Sequence, residues 1–329
     1  MKILVTGGNG FIGSNFIELV LKNSEDVFVV NIDSSTYAGQ GNNLEHMDLD
    51  KNERYKSYDA DITNKKLIDE IFQKERPEVV VNFAAESHVD RSITEPETFI
   101  QTNVLGTFNL LEAARRLDLK KFIQISTDEV YGSLSNESPM SKEGDLLKPR
   151  SPYSASKAAA EQIALSYFHT YGLPVIISRS SNNYGPYQFP EKLIPLFVTN
   201  LIEDKKVTLM YSAENPGLNV RDWLYVKDNC QAIWELIEKG EAGEIYNISG
   251  NNEKTNVEIT ETILSSFGVG KEMVEYIPHR KGHDFRYAID DSKLKSLVPE
   301  LRVRDFSEAM KETVNWYKAN ENWWRAIKK

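Results

Sequence analysis

Gly7, Gly10 and Gly13 stand between a short apolar run, residues 3–6, and a helical pattern over 11–21. Three glycines at that spacing, at a strand-to-helix junction, leave the backbone few options. The first permits a tight turn, and the second lets backbone approach a pyrophosphate. The third lets the helix pack on the strand, with its amide-rich N-terminus aimed at phosphates. Alone, such a loop could be an ordinary turn with no ligand. Here it opens a βαβ unit whose second strand, 27–32, runs into Asp33, twenty residues after Gly13. A carboxylate there is placed to accept hydrogen bonds from a ribose 2′-hydroxyl and to repel a 2′-phosphate, which favours NAD over NADP.

The pattern continues down the chain. Strands are expected at 3–6, 27–32, 79–83, 122–126, 175–178 and 244–248, with helices at 11–21, 65–74, 98–117 and 153–171. This alternation predicts an α/β fold, a doubly wound parallel sheet with right-handed crossovers. The strands are almost wholly apolar, as expected when helices cover both faces. Thr63-Asn64 and Ser151-Pro152 mark two helix starts. After about Ser180 the rhythm loosens, and Pro186, Pro190, Pro195, Pro216 and Pro278 interrupt it. The expected division is a cofactor domain of residues 1–184 with a returning segment, 218–246. A smaller, loop-rich substrate domain is expected over 185–217 and 247–329, the ligands meeting in the crevice between.

Composition excludes other classes. A chain of 329 residues with one cysteine, Cys230, is no disulfide scaffold. No apolar run reaches the roughly 18–20 residues that span a bilayer, and the early run is too short for a signal segment. A cytoplasmic protein is expected. A net charge of −10, from 39 basic and 49 acidic residues, argues against nucleic acid and anionic membrane as partners. No metal is called for.

Two further motifs carry chemistry. Tyr153 and Lys157 open a helix at i, i+4 spacing, on one face. An ammonium beside a phenol stabilises phenolate and is expected to lower the tyrosine pKa, making a usable base; a solvated helix face is the bland alternative. The strand 122–126 ends in Ser126-Thr127-Asp128-Glu129-Val130-Tyr131-Gly132. Ser126 and Thr127 offer hydroxyls to a substrate alcohol. Adjacent carboxylates destabilise each other's charge, so one of Asp128 and Glu129 can stay protonated as an acid while the other acts as a base. Asp61-Ile62 and the run from Phe83 through Ala84, Ala85 and Glu86 to Ser87 also end at the crevice.

This combination resembles the extended short-chain dehydrogenase/reductase family. Within its nucleotide-sugar branch the pattern is similar to that of the dTDP-glucose 4,6-dehydratases, from residue 1 to about 317. Supporting segments are 84–93, 181–195, 221–226 and 282–290. The Thr-Asp-Glu triplet is the most specific part, since related epimerases and decarboxylases usually lack the acid pair. The resemblance implies a hydro-lyase with internally recycled NAD. Tyr153 and Lys157 would serve C4 oxidation, Thr127 would bind the C4 oxygen, Glu129 would take the C5 proton and Asp128 would protonate the departing C6 hydroxyl. It implies cofactor contacts at Gly7, Gly10, Phe11, Ile12, Gly13, Asp33, Ser34, Ser35, Thr36, Asp61, Ile62, Phe83, Ala84, Ala85, Thr102, Tyr153, Lys157 and Asn183. Substrate contacts would be Ser87, Thr127, Asn182, Lys192, Leu193, Arg221, Asn256, Arg280 and His283. Arg221 and Lys192 suit a diphosphate.

Alternatives stay open for single residues. Arg221 could instead pair with Asp222, and His283 could be a packing or capping residue. A Ser87–His88 triad is not expected. The segment 211–220 is a few residues longer than the family's usual turn, Lys281 replaces a usual proline, Ser34 replaces a frequent lysine, and 40–43 reads as a small insertion. None touches the expected catalytic groups, but together they leave a UDP or CDP sugar, or a different hexose, as competing substrates. A nucleotide-sugar 4-epimerase or 5,6-dehydratase is the competing activity. A non-enzymatic NAD-sensing regulator would lack Tyr153 or Lys157. Cys230 is expected to be a buried packing residue, and the helix around 308–318 with Trp323-Trp324 to dock an aromatic face. In relatives the helices corresponding to 98–117 and 153–171 pair across a two-fold axis, which implies a homodimer.

Overall fold

Valine and isoleucine fill the first strands on both faces, and both faces are covered. The structure, a computed structural model, is described over residues 1–36, 42–279 and 283–328. Its strands are β1 (Lys2–Thr6), β2 (Phe28–Asp33), β3 (Tyr55–Asp59), β4 (Val79–Asn82), β5 (Lys121–Thr127), β6 (Val175–Ser180), β7 (Asn182–Tyr184), β8 (Val207–Met210), β9 (Val220–Tyr225), β10 (Ile245–Ile248), β11 (Glu253–Thr255) and β12 (Val274–Ile277). Seven form one sheet in the order β10-β6-β5-β4-β1-β2-β3, and every pairing in it is parallel. Strand order reverses between β1 and β4, so a crevice opens at their C-terminal ends, where ligands of such sheets bind.

Alternate residues feed two cores. Ile3, Val5, Val29 and Val81 pack under helices Phe11–Asn23 and Val226–Lys239. Leu4, Val30, Val80 and Phe122 pack under helices Lys65–Glu75, Thr107–Ala114 and Pro152–Tyr171. The expected caps are present. Asn64 accepts from the Leu67 amide, and Ser151 and Ser154 form a reciprocal capping box with Pro152 at the first helical position.

Two expectations change. Strand β3 was not among the expected strands: Tyr-Lys-Ser-Tyr-Asp is an edge strand with a half-polar pattern, which lacks the apolar run that marks its neighbours. The helix expected over 98–117 is divided into Pro96–Phe99, a π-helical turn over Ile100–Gly106, and Thr107–Ala114. Gly106 lies against Ile62, where a Cβ would come within 2.5 Å of the side chain. π-turns of this kind recur at functional sites, and here the turn carries Thr102.

Later segments form smaller sheets, β11-β9-β7 and β12-β8. A third, aromatic-rich cluster joins Tyr184, Tyr187, Trp223 and Tyr225 to Tyr317, Trp323 and Trp324, so the C-terminal helix Phe306–Ala319 docks as expected. Cys230 is fully buried. Among the described residues, no helix is long and apolar enough to cross a membrane.

Candidate active site

A cleft of about 420 Å³ lies over the C-terminal ends of β1, β4 and β5. One end is the glycine loop. Gly7 has φ +71°, and a Cβ there would meet the Ala84 amide nitrogen at 2.7 Å. A Cβ on Gly13 would meet the Gly7 carbonyl oxygen at 2.3 Å. Asn31, which sequence reasoning did not single out, pins the loop. Its Oδ1 accepts from the Gly8 amide at 3.0 Å and its Nδ2 donates to Asn9 Oδ1 at 2.9 Å. The available signal was an asparagine inside an otherwise apolar strand.

Asp33 closes the same end. Its Oδ2 accepts from the Asn9 amide and its Oδ1 from the Ser35 amide, each at 2.8 Å. Burial raises its carboxyl, opposed by those two amides. The expected cofactor residues Gly7, Gly10, Phe11, Ile12, Gly13, Asp33, Ser34, Thr36, Asp61, Ile62, Phe83, Ala84, Ala85, Thr102, Tyr153, Lys157 and Asn183 all line this cleft. Ser35 stands behind it, receiving Asn9 Nδ2 on its hydroxyl at 3.2 Å. A bare glycine cradle, small alanines and a carboxylate at the second strand end fit a dinucleotide.

The other end holds the candidate reactive groups. Thr127, Asp128, Glu129, Tyr153 and Lys157 share the wall with Ser87, Asn182 and Lys192. Thr127 Oγ1 donates to Asp128 Oδ1 at 3.1 Å and accepts from the Glu129 amide at 3.3 Å. Asp128 is 2% exposed, and its Oδ2 has no hydrogen-bond partner among the described residues. Burial, then the charges of Glu129 and Asp222, push its carboxyl well above the usual range. Of the two adjacent acids, Asp128 is the more enclosed, and burial favours its neutral form.

Lys157 is 4% exposed and donates to the Ile125 carbonyl at 2.5 Å. Burial lowers its ammonium to about 8, opposed by Glu161. The expected lowering of Tyr153 is not found. The ring is half-buried, yet packing around its hydroxyl and the charge of Glu129 raise the phenol, and only a hydrogen bond with Thr127 opposes them. Burial first, and then the neighbouring carboxylates, favour the protonated phenol.

The remaining substrate candidates gather elsewhere. Arg221 stacks on Tyr287 at 4.4 Å and donates to the carbonyls of Asp284 and Phe285 at 3.0 and 3.3 Å. Its neighbour Asp222 turns the other way, accepting from Ser249, Gly250 and Asn252. Asn219, in the long 211–220 segment, ties the group together. It donates to the Asp284 carbonyl at 2.9 Å, and its own carbonyl accepts the Asn256 amide at 3.0 Å. His283 Nδ1 lies 3.0 Å from His279 Nδ1. Arg221, Asn256 and His283 are thus brought together, outside the main cleft wall. Leu193 also stands outside it, as the first residue of helix Leu193–Ile202. Arg280, Lys281 and the start of the 40–43 insertion lie outside the described residues. His88 caps the helix Val89–Thr94, accepting the Arg91 amide. Glu86, Gln188, Phe189 and Glu191 also line the cleft; they stand within the quoted 84–93 and 181–195 segments, but the sequence pattern gave none of them a role. Among the described residues, no group of His, Cys, Asp and Glu is arranged to hold a metal ion.

Residues 4–317 match the family described as GDP-mannose 4,6 dehydratase. The dTDP-glucose 4,6-dehydratase of Streptomyces antibioticus is 45% identical over 334 residues, covering 100% of this chain and 96% of that one. The chain belongs to the dTDP-glucose 4,6-dehydratase family. Solved structures of this family agree in fold. That from Bacillus anthracis, in complex with NAD, is 47% identical with a TM-score of 0.91, covering 100% of both chains. That from Streptomyces venezuelae, also solved with NAD bound, is 42% identical with a TM-score of 0.92 and the same coverage.

Proposed function

We propose that the chain is an NAD-dependent dTDP-glucose 4,6-dehydratase, converting dTDP-glucose to dTDP-4-keto-6-deoxyglucose. The observation that carries this reading is a buried Asp128 beside Glu129, in the same cleft as Tyr153 and Lys157. An epimerase needs no acid to expel a hydroxyl; a dehydratase does.

When bound, NAD would supply the hydride acceptor for C4, the hydride donor for C6 and a positive charge that favours phenolate. The glycine loop and Asp33 would hold its phosphates and ribose. Tyr153, held as phenolate by that charge and by Lys157, takes the proton from the C4 hydroxyl and becomes the neutral phenol. Thr127 positions the C4 oxygen. The ketone so formed acidifies the C5 hydrogen, which Glu129 removes. Asp128 gives its proton to the C6 oxygen, which leaves as water. Glu129 finally returns its proton to C5. Lys192, Arg221, Asn256 and His283 bind the nucleotide end of the substrate.

Residues 1–184 with 218–246 form the cofactor part in this reading, and 185–217 with 247–329 the sugar-nucleotide part. A cytoplasmic homodimer follows from the same reading. It is supported by the exposed Ile100, Leu105 and Phe108 on the segment that relatives pair, and sedimentation measures it. The activity test is incubation with dTDP-glucose. A 4-keto-6-deoxy product, read by its absorbance in alkali, is expected; a 4-epimer without loss of water would overturn the reading. Glu129→Gln should block elimination while cofactor reduction persists, with kcat lowered by about 10²–10⁴.

A further inference from the structure

Beneath the cleft lies a buried polar cluster that the mechanism does not use. Arg179, on β6, is 1% exposed, and Glu161 is fully buried. Arg179 Nη2 donates to Glu161 Oε2 at 2.7 Å, and Nε reaches both carboxylate oxygens at 3.1 and 3.2 Å. Nη1 donates to the Tyr131 hydroxyl at 2.7 Å and the Glu143 carbonyl at 3.2 Å, and the guanidinium lies 4.7 Å from the Tyr131 ring centroid. The Tyr131 hydroxyl in turn donates to Asn247 Oδ1 at 2.8 Å.

The partners matter more than the pair. Glu161 stands one turn beyond Lys157 on helix Pro152–Tyr171, which carries Tyr153. Tyr131 ends the 3₁₀ turn Asp128–Tyr131, which carries both acids. One planar fork on strand β6 therefore holds the helix of Tyr153 and Lys157 through Glu161 and the turn of Asp128 and Glu129 through Tyr131. A buried ion pair is poor evidence for stability, since an apolar replacement of the same volume is often as stable. Its rigid geometry is a means of fixing position. A displacement of about 1 Å at a reacting centre can cost about 10²-fold in rate.

We propose that Arg179 is a positioning residue that keeps the Tyr153–Lys157 helix and the Asp128–Glu129 turn in register. The proposal rests on the functional reading above, which gives oxidation to one segment and elimination to the other. Oxidation and elimination stay matched only while the two segments share one anchor.

The test uses the full-length, NAD-loaded protein with Arg179→Lys and Tyr131→Phe. A lysine cannot grip Glu161 and Tyr131 together. The phenylalanine removes one hydroxyl and leaves the Arg179–Glu161 pair, so it keeps the test alive if the lysine variant does not fold. Both should keep a KM close to wild type and lose about tenfold or more in kcat. With the acid turn loosened, elimination lags behind oxidation, so reduced nicotinamide accumulates during turnover and is read by its ultraviolet absorbance. Unchanged kcat in Tyr131→Phe overturns the proposal. So does a fall in rate with the reduced fraction at its wild-type level, which is what lost stability alone would give. If the wild type makes no 4-keto product, the functional reading fails first. If it does and the variants behave like it, only the role of Arg179 fails.

Discussion

Replacing Asp128 with asparagine separates the cost of an acid from its use. In the fold this carboxyl is 2% exposed, one oxygen has no hydrogen-bond partner among the described residues, and burial with the charges of Glu129 and Asp222 raises its pKa well above the usual value. The chain must therefore take up a proton there on folding. A raised folded-state pKa means stability that is fully present below the unfolded pKa and lost as pH rises through the folded one. Asparagine mimics the neutral acid and removes that dependence. Each unit between the two pKa values is worth about 1.4 kcal/mol. With about 2.1 cal/mol/K of unfolding entropy per residue, a 329-residue chain gains about 2 °C in Tm for each such unit. The variant should melt above wild type at neutral pH, with the advantage shrinking as pH falls toward 4. It should also lose about 10²–10⁴ in kcat, because an amide cannot protonate the leaving oxygen. Thermal melts across pH, beside steady-state turnover, test both. A variant that melts below wild type at every pH, or differs by a constant amount, would refute the burial argument. Wild-type turnover would refute the acid role.

Two other outcomes follow from the same geometry. Burial lowers Lys157 to about 8, so its ammonium is present below that pH and lost above it; kcat/KM should decline as pH rises through about 8, and a flat profile from neutral to strongly alkaline pH would contradict the assignment. In Gly13→Ala the new Cβ would lie 2.3 Å from the Gly7 carbonyl oxygen and 2.9 Å from Gly8 Cα, so the loop must shift at an overpacking cost of about 1–3 kcal/mol; NAD retained through purification should fall about tenfold or more, and full retention would show that the cradle tolerates the methyl.

Most of the cleft could be read from local pattern. The glycine spacing, Asp33 at a strand end, the Thr-Asp-Glu triplet and the Tyr153/Lys157 face each lie within a few residues of chain, where the helical and strand periods are set by covalent geometry. Strand β3 escaped because an edge strand faces water on one side, so its Tyr-Lys-Ser-Tyr-Asp alternation carried no apolar run. The Tyr153 phenol is raised where the sequence pattern predicts a lowering, because burial comes first and the charges that reach it belong to Glu129 and Asp128 in the turn after β5.

What the sequence alone determined was the class of fold, the glycine loop at its first turn and the candidate reactive side chains. Only the tertiary structure decided which of two adjacent carboxylates is enclosed, and so which is favoured in its neutral form. Only it joined Arg221, Asn256 and His283 through Asn219 and Asp284, and only it placed Arg179 between Glu161 and Tyr131, 18 and 48 residues away in the chain. Periodicity reports what a residue does to its own helix or strand. Desolvation and ion pairing are set by which elements the sheet order makes neighbours, and that order is a property of the packed whole.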